Sequence, residues 1–149
     1  MTSRDGLLIN LKDLLHLPDL ACDWLLLVYD AIQVFDDVAD NDTVDKQDLN
    51  ATIYNMFVGQ YRNQFFAVNS LTLIPLIEVA ILKWHAANKI EKEQKAGPIS
   101  FVWRASYYDI VLMVVNICKG KEFAEKNAHL VAMIYGEKYT DYLEEFINA

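Results

Sequence analysis

The sequence predicts an all-α fold, a single compact bundle of about five or six helices over residues 1–149. Three observations carry this. Apolar residues recur at helical spacing along most of the chain. No stretch alternates with the two-residue period of a half-buried strand. The breaks fall at residues that stop helices, namely Pro18, Asn41-Asp42-Thr43, Ala96-Gly97-Pro98 and Gly120. A length of 149 residues suits one domain with a real core.

Residues 5–16 form a short amphipathic helix with Leu7, Leu8, Leu11, Leu14 and Leu15 on one side. Pro18 suits the first turn of a second helix, where Asp19 favours the positive end. This helix runs to about Asn41, and Asp42 or Thr43 can cap the next. Residues 44–61 form a more polar helix that buries Leu49, Ile53, Met56 and Phe57. Residues 62–69 read as a connector, with Phe65 and Phe66 packed somewhere on the core. A long helix follows, from Asn69 or Ser70 to Lys95, with Pro75 near its start or kinking it. Residues 98–119 read as one apolar helix ended by Gly120, and residues 121–146 as the last, weakened at Gly136.

Hydrophobic residues make up 54% of the chain and mean hydropathy is +0.10, high for a soluble domain. That leaves more apolar surface than a small monomer hides, so a homodimer with a helical interface is expected. A net charge of −8 argues against a nucleic-acid partner, because phosphate neutralisation needs a basic face. It also argues against adsorption to an anionic membrane. Residues 1–6 lack the features of a signal peptide. The stretch closest to a membrane span is 99–118, which carries Arg104 and Asp109, so no span and no membrane role are expected. Cys22 and Cys118 lie apart in apolar runs without metal-ligand spacing. They read as free thiols in a reducing, cytoplasmic setting.

Chemistry concentrates in residues 29–42. At about 100° per residue, Trp24, Leu27, Val28, Ala31 and Phe35 belong to one broad apolar side. Asp23, Asp30 and Asp37 stack at intervals of seven on the other, flanked by Gln33 and Asp40, with Asp36 at one edge. Such a stripe also describes a solvated face. But Cys22, Leu26 and Tyr29 share it, and Asp36, Asp37, Asp40 and Asp42 crowd the helix C-terminal end, where the macrodipole disfavours anions. Like charges at i, i+4 cost a few tenths of a kcal/mol more. A bound cation would offset both.

Gln33-Val34-Phe35-Asp36-Asp37-Val38-Ala39-Asp40 resembles the second aspartate-rich region, FQxxDDxxD, of the trans-isoprenyl diphosphate synthases. The family's phenylalanine before the glutamine is Ile32 here, and no second DDxxD occurs. The resemblance covers about a dozen residues. It implies an all-α bundle in which Asp36, Asp37 and Asp40 ligate Mg²⁺, the metal holds a diphosphate, and Gln33 faces the same cavity.

Asp109 and Asn116 share a stripe with Ser106 on an otherwise apolar helix. A carboxylate buried there needs a partner such as a lysine or tyrosine hydroxyl, or it faces the acidic stripe across a cavity. Glu78 and His85, seven apart, share one face of the long helix. Glu122 and Glu125 have the ExxE spacing of all-α nucleoside triphosphate pyrophosphohydrolases, although Glu137 and Asp141 stand four apart instead of the three of that class. No nucleophile motif or glycine-rich phosphate loop is present.

The expected function is a small Mg²⁺-dependent, isoprenoid-synthase-like protein that binds or processes a diphosphate. Asp36, Asp37 and Asp40 would hold metal, and Asp30, Gln33, Asp109 and Asn116 would line the cavity. The alternatives are a non-enzymatic helical interaction module with a solvated acidic face and an all-α pyrophosphohydrolase. A deep apolar cavity under residues 36–40 favours the first; a short polar pocket at Glu122, Glu125 and Asp141 favours the last.

Overall fold

A computed structural model describes residues 3–147. Among these the chain is all-α, with eight helices instead of the expected five or six and no strand. Helix α1, Arg4–Ile9, opens on Ser3, whose hydroxyl accepts from the Gly6 amide at 3.1 Å. It runs on through a wider π turn, Asn10–Leu14, and buries Leu7, Leu11 and Leu15 completely. Helix α2, Asp19–Ala39, starts straight after Pro18. Helix α3, Lys46–Tyr54, is capped by Asp45, which accepts from the Gln47 amide at 2.7 Å. Neither Asp42 nor Thr43 takes that role. A second π turn, Asn55–Gly59, and a last turn, Gln60–Arg62, prolong α3. A Cβ on Gly59 would come within 2.7 Å of Asn55 Oδ1, so a substituent there must displace that side chain.

The expected connector at 62–69 is mostly helix. Helix α4, Gln64–Lys92, begins five residues earlier than the pattern suggested, because Asn63 caps it. The Asn63 carbonyl oxygen accepts from the Phe66 amide at 3.0 Å, and its Nδ2 donates to the Leu20 carbonyl at 2.9 Å. The cap therefore also pins α4 to the start of α2. Phe66 lands in the core, stacked on Trp24 with ring centroids 5.2 Å apart.

Residues 98–119 are two helices. Helix α5, Pro98–Arg104, and helix α6, Tyr107–Lys119, meet at a 50° bend. Gly120 alone separates α6 from α7, Lys121–Met133. Its φ of +88° is a conformation that favours glycine. The last expected helix is also divided, and α8, Tyr139–Ile147, begins after Lys138.

α2 packs against α3, α4 and α6, α5 folds back along the end of α4, and α6 pairs with α7. Trp24, Leu25, Leu73, Ile110, Val111 and Val114 fill the core between them.

One face of α4 stays outside. Leu71 is 91% exposed, Val68 76% and Leu82 61%, with Ile74 and Val79 also exposed. α4 is long and apolar enough to cross a membrane by length and composition, as α5 and α6 together are if read as one bent span. Reading a connector at 62–69 divides this apolar run, so the sequence pattern pointed to 99–118 instead.

Candidate functional site

The last turns of α2 face α4 and the α5–α6 bend across a cavity of about 490 Å³. Ala31, Ile32, Phe35, Ile77, Ala80 and Ile110 give it apolar walls, and Met56 of the second π turn adds to them. Phe35, Val38 and Ile81, each about half exposed, border its open side. Its charged residues are Asp36 and Arg104.

Asp36 is the one carboxylate of the acidic segment that turns inward. Trp84 Nε1 of α4 donates to its Oδ1 at 2.6 Å, and Arg104 Nη1 stands 3.9 Å away. Burial raises the Asp36 pKa, while Trp84 and Arg104 pull it down. The guanidinium is held harder on its other side. Nε donates to Glu91 Oε2 at 2.7 Å, and Nη2 bonds to Glu91 Oε1 and Asn88 Oδ1. Glu91 Oε2 also accepts from the Tyr142 hydroxyl at 2.7 Å, which lies 2.6 Å from Ser100 Oγ. A chain of polar contacts thus runs from α2 through α4 and α5 to α8. Among the described residues, no buried side-chain nitrogen or oxygen lacks a hydrogen-bond partner.

Tyr142→Phe removes one donor from Glu91 and one partner from Ser100. A hydrogen bond to a charged group contributes about 1.5–3 kcal/mol, so a loss of stability of about that size is expected in urea unfolding. An unchanged unfolding midpoint would show that α8 is not anchored through this hydroxyl.

A second, smaller recess of about 80 Å³ adjoins the cavity. Both are lined by Ile32, Asp36, Arg104 and Tyr107. The recess adds Gln33, Glu137 and the rings of Tyr29, Tyr108 and Tyr135. Burial pushes the Tyr108 hydroxyl up to about 12, and that of Tyr135 still higher, so both stay protonated at neutral pH.

The candidate site residues are not brought together. Asp36 and Gln33 line the cavities, whereas Asp37 and Asp40 are exposed. Asp30 accepts from Arg4 Nε at 2.9 and 3.2 Å, an ion pair that ties α1 to α2. Asp109 is not buried: its side chain is 50% exposed and pairs with Lys83 at 2.8 Å. Asn116 is exposed and donates to Met113 Sδ at 3.8 Å. Glu122 pairs with Lys126, and Glu125 with Lys121, on the outer surface. Cys22 and Cys118 are free thiols, and burial raises Cys22 to about 11.

Asp36 is engaged by Trp84 and lies near Arg104, and among the described residues no three His, Cys, Asp or Glu side chains stand close enough to hold an ion. Sequence reasoning missed Glu91, Trp84, Tyr142 and Ser100. The available signal was Arg104, a lone guanidinium in an apolar run, which has to be met by carboxylates from elsewhere in the fold. Comparisons of the chain with protein-family models, curated proteins and solved structures found no match.

Proposed function

We propose that this chain is a helical binding protein for a ligand with an apolar body and a polar head. The single observation that carries the reading is the 490 Å³ cavity, apolar along its walls and charged only at Asp36 and Arg104. Ligand sites span about 300–1,000 Å³ and combine an apolar lining with a few placed polar groups. The apolar body would lie against Phe35, Ile77 and Ile110, and the head at Asp36–Arg104.

The test is titration with the neutral fluorescent probe N-phenyl-1-naphthylamine, displaced by decanol. One saturable site is expected, and Ala80→Trp, which fills the cavity from α4, should abolish it with the thermal midpoint preserved. Equal probe binding by a folded Ala80→Trp variant would overturn the reading. The cavity beneath the DDxxD segment also supports a metal-bridged diphosphate as a second reading, which requires Asp36 to leave Trp84 and Arg104. Mg²⁺-dependent pyrophosphate binding lost in Asp37→Asn would favour it over the first.

Self-association through the outward face of α4 belongs to the same reading. Leu71, Ile74 and Leu82 lie on this face with Glu78 and His85. A two-fold antiparallel pairing about Ile81 and Leu82 sets Glu78 of each copy against a histidine of the other. The surface is thereby self-complementary, as an isologous dimer requires.

A further inference from the structure

We propose that the head of the ligand is a cation, an ammonium group seated in the tyrosine-walled recess beside the apolar cavity. The inference rests on the apolar-ligand reading and deepens it. Four rings line the recess and touch in sequence. Tyr29 and Tyr107 have centroids 5.9 Å apart, Tyr107 and Tyr108 5.2 Å, and Tyr108 and Tyr135 5.3 Å. Aromatic faces attract cations within about 6 Å, most strongly where water is excluded.

The charges point the same way. Arg104 is the one cation lining the recess, and both oxygens of Glu91 already engage it. The recess is lined by two carboxylates, Asp36 and Glu137, against the one guanidinium, whose charge Glu91 already offsets from outside it. Glu137 also accepts from the Tyr135 hydroxyl at 2.8 Å, which fixes that ring at the edge of the recess. A bare anionic head would meet these carboxylates unfavourably, whereas a cation meets carboxylates and ring faces together. Because Asp36 and Arg104 line both spaces, one molecule can place its head in the recess and its tail in the cavity. At about 80 Å³ the recess admits only a compact head.

The experiment keeps the tail constant and varies the head. Decyltrimethylammonium, decanol and decyl phosphate, each below its micelle concentration and without added metal, compete against N-phenyl-1-naphthylamine on the full chain. The ammonium compound is expected to displace the probe at a concentration at least tenfold lower than decanol, and the phosphate at a higher one. Glu137→Gln should reduce the ratio of ammonium to decanol potency severalfold. Added salt should reduce it too. Equal potency of ammonium and decanol, or greater potency of the phosphate, overturns the cationic head while the apolar-cavity reading stands. Failure of all three to displace the probe, decanol included, overturns both.

Discussion

Arg104→Met is expected to lower stability at pH 7.5 by about 3–5 kcal/mol, the range for removing one partner of a buried ion pair. The side chains of Arg104 and Glu91 are 20% and 10% exposed, so water compensates little of the loss. Methionine keeps much of the volume and removes the charge and all donors, leaving Glu91 with Tyr142 and Asp36 with Trp84. The deficit should narrow as pH falls, and the sign follows from Asp36. Burial already raises its folded pKa, and Arg104 works against that shift. Without Arg104 the folded value rises further above the unfolded one. The folded variant then keeps a proton that the unfolded chain releases, and stability increases as pH falls through the folded value towards the ordinary carboxylate range. Asp40 and Glu145, largely exposed but partly desolvated, are raised and are lowered by Arg104 in the same way, so they add a smaller contribution of the same sign. Urea unfolding at pH 7.5 and pH 5 measures this. A loss below about 1 kcal/mol at both values, the range of an exposed pair, would refute the view that this pair joins α4 to α5.

Leu71→Glu with Leu82→Glu is expected to raise the dimer dissociation constant by more than a hundredfold, about 2.8 kcal/mol at 1.4 kcal/mol per decade. Both leucines are among the most exposed apolar residues of the protein, so the substitutions leave the core intact and the thermal midpoint of the monomer should hold. Leu82 lies beside the two-fold of the antiparallel pairing, and central interface positions carry most of the binding energy. A carboxylate at 82 lies four residues from Glu78 and beside its own symmetry mate, so it would be desolvated next to like charges, while the change at 71 removes an apolar contact at the rim of the pairing. Sedimentation equilibrium over a dilution series reads the constant. A wild type that stays monomeric at high concentration overturns self-association. If it instead partitions into neutral lipid vesicles and the double variant does not, α4 has the membrane-contact role that its length and composition allow.

Several features were legible because they depend on neighbours in sequence. The breaks at Pro18, Pro98 and Gly120 follow from local backbone constraints, and so does the helical period between them. The capping residues were harder. Asn63 looks like any polar residue of a connector until its side chain is seen to satisfy the Phe66 amide and the Leu20 carbonyl at once. The second of those partners is 43 residues away. The split of residues 98–119 at Ala105 was equally hidden, since neither a glycine nor a proline marks it.

By itself the sequence determined the all-α class, the excess of apolar surface later found on α4, and the crowding of carboxylates at the end of α2. It also placed Asp36 at the margin of the apolar stripe, because a turn of about 100° per residue puts it there. Only the tertiary structure decided which carboxylate turns inward and what it meets. Trp84 is 48 residues from Asp36, and Arg104 lies farther along the chain. Their approach depends on how α4 and α5 pack against α2, and no local periodicity encodes that packing. The same packing leaves Asp37 and Asp40 in water, so three residues with one motif's spacing end in two different environments.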